Sequence, residues 1–422
     1  MSFQKPRESG ARKLLQSGII FSAINFLIGL GNLAFQSVMG HLLTKGGQYS
    51  HANSAINAFT PLLALPPQVA MIAVTHYIAH FHALGDTARL QALLGGCRKF
   101  LLHLTIFGSV LAILVAKPLS LFFHYSTSLL LVTLLYTLMA LWASFATALC
   151  QGLAWFNRLA LIGFLVMLLK VTGGYFATLR WPAPETFVLA STFALLANLI
   201  LLYWRKDLSL TGGQAPASPW NHEFTLYLTI SAAVVVGNYC FSLSDLLVMQ
   251  RYFSDTSGGD AYTAVERLAI ALPTTVSPLL SVLFTNRSVE HTADALRAQM
   301  KLIGLYAAGL CSGAVALFVL RHPCLALLHK DTPEAAGMIS HLAVAMVFVG
   351  LLQAMGTWAL ASRWSRISLL YGALSLAYTT LLLMLGQTPA ALLHTMPLAT
   401  GGAFLILFTV WFGAMRRHKP VA

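Results

Sequence analysis

Two apolar stretches of the chain share one short pattern, Ile28-Gly-Leu-Gly-Asn-Leu-Ala-Phe35 and Val235-Val-Gly-Asn-Tyr-Cys-Phe241. Each has a Gly-Asn pair followed by Phe three positions after Asn. Further pairs recur in the same order at a shift of about 205 residues: Pro66 and Pro273, Thr87 and Thr292, Lys117-Pro118 and His322-Pro323, Arg158 and Arg366. Such self-similarity predicts a chain built from two related halves.

The composition identifies the environment of these halves. The chain has 422 residues, of which 57% are hydrophobic and 9% charged, and its mean hydropathy is +0.73. A soluble domain has about 25% charged residues. These values exclude a soluble enzyme, a disordered chain and a disulfide-linked secreted module. The net charge of +13 is spread over short loops, so we expect membrane lipids as partners and no nucleic acid.

The hydropathy pattern predicts an all-α integral membrane protein with about twelve transmembrane helices. The apolar spans fall at about 17–40, 55–81, 101–123, 127–149, 159–180, 185–204, 224–249, 261–285, 301–320, 336–361, 367–386 and 390–414. The polar stretch 205–223 is rich in Gly, Pro and Ser, as linkers are. We therefore predict an N-terminal six-helix lobe (1–204), a cytoplasmic linker (205–223) and a C-terminal six-helix lobe (224–422).

Lysine and arginine predict the orientation. If the N-terminus is cytoplasmic, 18 of them lie in inner segments and 6 in outer segments, so both termini should be cytoplasmic. Six spans per repeat give both lobes the same orientation. Parallel repeats are typical of transporters that rock around a central cavity. Two six-helix bundles merely packed together remain the alternative.

Several motifs resemble a known transporter family. In the first half, Lys45-Gly-Gly-Gln-Tyr49 precedes a Pro-bearing second span; the second half has Ser244-Asp-Leu-Leu-Val-Met-Gln-Arg, Gly258-Gly-Asp-Ala-Tyr262 and Leu283-Phe-Thr-Asn-Arg287. This order resembles the polysaccharide-transport branch of the multidrug/oligosaccharidyl-lipid/polysaccharide exporter superfamily. Thr285 stands where that branch has proline.

The resemblance implies a flippase. Its substrate would be a lipid-linked oligosaccharide on undecaprenyl pyrophosphate, moved across the bacterial inner membrane for O-antigen, capsule or exopolysaccharide synthesis. Glycan polymerases or ligases would be the protein partners.

Other functions remain open. The main alternative is a cation-coupled multidrug exporter of the same superfamily, although that branch tends to have an acidic residue in span one and none occurs between Glu8 and Asp86. A flippase for the peptidoglycan precursor is a further alternative. A membrane glycosyltransferase or ligase is disfavoured because the outer loops are short and lack clustered acids. We expect no enzyme activity, no metal site and no cofactor beyond a coupling H⁺ or Na⁺.

Ionisable groups inside spans are functional candidates because they are costly there. Asp245 and Glu266 are the candidate ion-coupling residues, since carboxylates can carry a proton or bind Na⁺. Alternatively, Asp245 forms a structural ion pair with Arg267, and Glu266 is solvated near the outer mouth.

The candidate substrate-binding residues are Lys170, Arg267, Asn32, Asn238 and Gln36. The two cations would meet a pyrophosphate, unless Lys170 extends to a leaflet edge. The asparagines would line the cavity or bond between helices. Arg158, Arg363 and Arg366 border the predicted inner mouth, where they attract an anionic headgroup or serve only as orientation signals.

Overall fold

The computed structural model describes residues 9–43, 48–123, 126–203, 222–253, 257–289, 293–328 and 331–417. The helices are α1 (Ser9–Leu42), α2 (Gln48–Ser54), α3 (Thr60–Leu84), α4 (Thr87–Phe123), α5 (Thr127–Gly152), α6 (Phe156–Arg180), α7 (Pro184–Tyr203), α8 (His222–Phe253), α9 (Ser257–Val289), α10 (Ala293–Val319), α11 (Arg321–Leu327), α12 (Pro333–Ala361), α13 (Ser365–Leu385) and α14 (Pro389–Arg417). A π-helical turn, Ala55–Phe59, joins α2 to α3. All regular structure in these ranges is helical.

Twelve of these helices have at least 20 residues, and each coincides with one predicted span. Nine are long and apolar enough to cross a membrane, judged on the described residues alone. The predicted all-α membrane fold is therefore confirmed. The linker at 205–223 lies almost entirely outside the described residues, so the domain boundaries stay a prediction.

Local sequence explains where several helices begin. The Ser126 hydroxyl accepts from the backbone N–H of Leu129 at 3.1 Å, and Thr332 caps α12 in the same way, with Pro333 at the first helical position. Capping satisfies backbone donors that have no partner within the helix. The turn between α3 and α4 is at Gly85, which has a positive φ of 68°.

The inner turns show the repeat directly. Ala154 and Arg363 both have φ of 57° and precede Trp155 and Trp364, whose N–H groups each donate across the turn at 2.8 Å. Matching these turns aligns the halves at a shift of 209 residues. Arg158 then corresponds to Ile367, so the predicted match with Arg366 is wrong by one residue.

The halves diverge at their outer ends. In the first half, α4 continues through Pro118 to Phe123. In the second, the equivalent helix α10 ends at Val319 and the His322-Pro323 motif lies in the short helix α11. The two similar motifs, Lys117-Pro118 and His322-Pro323, therefore adopt different local structures.

Packing differs between the halves. The second half contains one large buried cluster that includes Tyr262, Tyr306 and Trp358. Buried residues of the first half form two main clusters, one around Phe35 and Phe187 and one around Ile78 and Phe145. Helices α4 and α10 expose apolar side chains along much of their length, as expected of surfaces that face lipid.

Candidate functional site

In the first half, the Gly-Asn-x-x-Phe pattern forms the contact between α1 and α6. A Cβ at Gly31 would overlap Met167, lying 2.7 Å from its Cε. This close approach brings Lys170 to α1, where its Nζ donates to Asn32 Oδ1 at 3.2 Å and lies 4.6 Å from the centre of the Phe35 ring. The amide oxygen and the ring face both stabilise the cation.

In the second half, the same pattern forms the contact between α8 and α13. A Cβ at Gly237 would lie 2.6 Å from Tyr371 Cδ1. The Tyr371 hydroxyl donates to Asn238 Oδ1 at 2.5 Å, and the Phe241 and Tyr371 ring centres are 5.4 Å apart. The repeated asparagine therefore accepts a hydrogen bond from a facing helix in each half.

These contacts bear on the predicted substrate residues. The structure brings Asn32 and Lys170 together, and Lys170 is directed towards α1 rather than along α6 to a leaflet edge. Asn238 lies in the other half and is engaged by Tyr371. Gln36 is half-buried on α1. The substrate-binding roles of these residues stay predictions.

A buried charge cluster lies between α8 and α9. Asp245 and Glu266 are both 0% exposed. The Tyr262 hydroxyl donates to Asp245 Oδ2 at 2.8 Å, and Arg267 Nε lies 2.9 Å from Glu266 Oε2 without hydrogen-bond alignment. Asp245 Oδ1 and Glu266 Oε1 have no hydrogen-bond partner among the described residues. Two carboxylates and one guanidinium thus share a site closed to solvent.

The cluster corrects three expectations. Arg267 contacts Glu266, not Asp245, because the two charges adjoin along one helix. Glu266 is fully buried and is not solvated at an outer mouth. The Arg267 side chain is only 9% exposed and is engaged with Glu266, so it is not a free cation for a pyrophosphate. The sequence motif ending at Tyr262 did not by itself identify this tyrosine as the partner of Asp245.

A cavity of about 390 Å³ lies between α3, α5 and α7 in the first half. Its polar lining is uncharged: Gln68, Thr75, Tyr136, Ser144, Thr147, Gln151 and Asn198. Asn198 Oδ1 is buried and has no hydrogen-bond partner in the described structure. The cavity can therefore offer hydrogen bonds to a neutral polar group.

At the predicted inner end, the two halves meet around His76. Arg363 Nη2 donates to His76 Nε2 at 3.0 Å, which requires that nitrogen to be unprotonated. The imidazole stacks on Tyr227 with ring centres 4.5 Å apart, and Phe284 packs at its edge. His76 is 2% exposed. Sequence reasoning missed this contact, because its members lie 287 residues apart.

The halves also touch elsewhere. Gln151 donates to Ser281 at 3.5 Å near the inner end, and the Ser37 hydroxyl donates to the Leu327 carbonyl near the outer end. Of the predicted inner-mouth arginines, Arg158 lies over its neighbour Trp155 at 5.4 Å. Arg363 and Arg366 line a groove on the second half.

Comparison with solved structures identifies the architecture. A mutant of the Vibrio cholerae MATE transporter VcmN superposes with a TM-score of 0.71 at 13% identity, covering 98% of this chain and 99% of that chain. A MATE structure in the bent conformation gives 0.72 at 10% identity, with 98% and 99% coverage. The MATE transporter ClbM in complex with Rb⁺ gives 0.66 at 14% identity, with 94% coverage of both chains.

The chain has the fold of MATE transporters. One further neighbour, described as a MATE family transporter of the MOP superfamily, superposes with a TM-score of 0.71 at 13% identity, covering 94% of this chain and 95% of that chain. At 10–14% identity these neighbours show the fold alone, so the polysaccharide-transport branch stays a prediction. No protein-family model and no curated protein sequence matches the chain. The fold and the apolar helices make this a multi-pass membrane protein.

Proposed function

We propose that this protein is a secondary active exporter that works by alternating access and is coupled to H⁺ or Na⁺ at Asp245 and Glu266. The observation that carries the proposal is the buried charge cluster between α8 and α9. We therefore prefer the cation-coupled exporter to the flippase as the function of this protein. A bacterial inner membrane is the proposed location.

The charge balance of the cluster favours binding of one monovalent cation. With all groups ionised, Asp245, Glu266 and Arg267 sum to one net negative charge in a site closed to water. An uncompensated buried charge is very costly. One proton or one Na⁺ restores neutrality, and Asp245 Oδ1 and Glu266 Oε1 are available to accept it. ClbM, a structural neighbour, is recorded with Rb⁺ bound.

The charged and polar residues of the first half indicate the chemical class of the cargo. Its acids are Glu8, Asp86 and Glu185, and none lies within a predicted span interior. A cationic drug would find no carboxylate there. The uncharged cavity and the Lys170 amine suit a neutral or anionic amphipathic cargo better. This observation keeps the lipid-linked oligosaccharide flippase, with glycan polymerases or ligases as its partners, as the second candidate function.

The coupling proposal is tested in proteoliposomes under an imposed Na⁺ or H⁺ gradient. Asp245→Asn and Glu266→Gln are compared with Glu334→Gln, a control at an exposed acid in the first turn of α12. Binding of ²²Na⁺ and proton release on detergent-solubilised protein report the site without any cargo. We expect both variants to lose ion binding and gradient-driven transport while the control retains them. Unchanged ion binding and transport in both variants would refute the coupling site.

The two cargo classes are separated in the same vesicles. Ethidium represents cationic drugs, and a fluorescent undecaprenyl-pyrophosphate oligosaccharide represents lipid-linked cargo. Movement of the lipid alone would support the flippase, and loss of that movement in Lys170→Met would place the amine in its path. Export of ethidium alone would show that a cationic cargo is accepted without a carboxylate in the first half.

A further inference from the structure

A groove of about 750 Å³ opens at the predicted inner end of the second half. It lies between the start of α13 and the last turns of α14, and Arg363 in its wall also contacts His76 of the first half. Its walls include Arg363, Arg366, Ser365, Thr409 and Gly413. Its lining residues belong neither to the buried charge cluster nor to the first-half cavity.

The groove carries positive charge that nothing in the described chain neutralises. The described partners of Arg363 are the neutral nitrogen of His76 and the Tyr227 ring, and Arg366 forms no ion pair within the described ranges. Both arginines are exposed. The first turn of α13 adds the positive end of a helix dipole beside them. This arrangement favours an anion, and guanidinium groups favour phosphate in particular.

The wall formed by α14 includes the apolar residues Val410 and Ala414 beside Thr409 and Gly413, and this helix exposes apolar side chains as a lipid-facing helix does. Val410, which lines the groove, is 44% exposed. A ligand held here by its phosphate would have an apolar surface beside it for acyl chains. Basic grooves between transmembrane helices on the cytoplasmic side are suited to anionic lipid headgroups.

We propose that this groove binds the phosphate of an anionic membrane lipid through Arg363 and Arg366, and that binding weakens the contact between Arg363 and His76. Phosphate oxygen carries negative charge and is a stronger acceptor than a neutral imidazole nitrogen. An occupied groove therefore competes with His76 for the guanidinium. Because that hydrogen bond joins the two halves, the lipid favours separation of the halves at the inner end.

Binding is tested by calorimetric titration of the full-length protein in a neutral detergent. The probes are dioctanoyl-phosphatidylglycerol, dioctanoyl-phosphatidylcholine and inorganic phosphate. We expect saturable binding of phosphatidylglycerol, weakened about tenfold by Arg366→Gln, which corresponds to about 1.4 kcal/mol. Arg98→Gln, at another exposed arginine predicted on the inner side, is the matched control and should leave binding unchanged.

Other binding results would overturn the assignment. Equal binding of inorganic phosphate and phosphatidylglycerol would identify a free-phosphate site instead of a lipid site. Equal binding of phosphatidylcholine and phosphatidylglycerol would show that the groove does not prefer a lipid with net negative charge. The same loss in Arg98→Gln as in Arg366→Gln would indicate diffuse attraction to a basic surface. Arg366→Lys, which keeps the charge but not the planar donor pair, should weaken binding less than Arg366→Gln.

The link to His76 is tested by the distance between spin labels at positions 99 and 301, both exposed and on opposite halves. The native cysteines are replaced first. Phosphatidylglycerol should shift the distance distribution to longer values in the otherwise wild-type protein. His76→Ala should show that shift without lipid and respond no further. A lipid response that persists in His76→Ala would refute the competition. Neither measurement involves transport, so the result is independent of the proposed function.

Discussion

Replacing Gly237 by alanine should destabilise the protein, whereas the same replacement at the equivalent Gly31 should not. The two glycines occupy matching positions in the repeat, and both lie against a side chain of the facing helix. The difference is in what the new methyl group meets. At Gly31 it meets the flexible end of Met167, and at Gly237 it meets the Tyr371 ring.

The size of the destabilisation depends on how far the neighbouring side chain can move to admit the new methyl group. Tyr371 is 0% exposed, donates to Asn238 at 2.5 Å and packs on Phe241, so its ring has no space to move. Overpacking costs about 1–3 kcal/mol, and disturbing the hydrogen bond costs about 1 kcal/mol. Helix propensity returns about 1 kcal/mol for Gly to Ala. The net destabilisation by Gly237→Ala is therefore about 1–3 kcal/mol.

Two other glycine-to-alanine replacements serve as controls for this value. Met167 has three rotatable side-chain bonds and a polarisable sulfur, so it can yield to a methyl at position 31 at little cost. Gly31→Ala should change stability by less than about 1 kcal/mol, because strain and helix propensity nearly cancel. Gly173 on α6 has open space where its Cβ would lie. Gly173→Ala should therefore be neutral or stabilising.

Stability is measured by reversible unfolding in mixed micelles of a mild detergent and dodecyl sulfate, followed by tryptophan fluorescence. We expect the unfolding midpoint to be highest for Gly173→Ala, intermediate for Gly31→Ala and lowest for Gly237→Ala. Equal losses at positions 31 and 237 would refute the reasoning, because they would show that the mobility of the facing side chain does not decide the cost. A stabilised Gly237→Ala would refute the fixed Tyr371 ring itself.

Two further predictions concern the polar pairs. Asn32→Leu should lower the unfolding midpoint by the equivalent of about 1–3 kcal/mol, because the Lys170 amine loses its acceptor. Adding Lys170→Met to the same chain should restore much of the loss. Additive losses in the double variant would contradict the pairing. Tyr262→Phe removes the donor to Asp245 Oδ2 and leaves a buried carboxylate with fewer hydrogen bonds. It should change cation binding by roughly tenfold, measured with ²²Na⁺ and by proton release, and unaltered binding of both ions would exclude Tyr262 from the site.

Much of the fold follows from the sequence because each spanning helix satisfies its own backbone hydrogen bonds. An apolar run of about 20 residues therefore indicates a spanning helix without knowledge of its neighbours. All twelve predicted spans coincide with helices of the structure. The order of the motifs also indicated the repeat, since related halves retain related positions.

The local details were predicted less well, and the inner turns show why. The Arg158–Arg366 match misaligned the halves by one residue, because the shared feature is a left-handed residue before tryptophan and not the arginine. The Lys117 and His322 motifs look alike in sequence but lie in different local structures. Sequence similarity alone does not show which backbone conformation a residue adopts.

The partners of the polar residues depended on tertiary structure. The sequence by itself determined that Asp245, Glu266, Arg267 and Lys170 are embedded in apolar spans, because hydropathy is a local property. Only the packing of helices decided that Lys170 meets Asn32 and that Arg363 reaches His76. The physical reason is that a hydrogen bond or ion pair acts over about 3 Å, and residues distant in the chain come that close only when helix rotations and crossing positions are fixed.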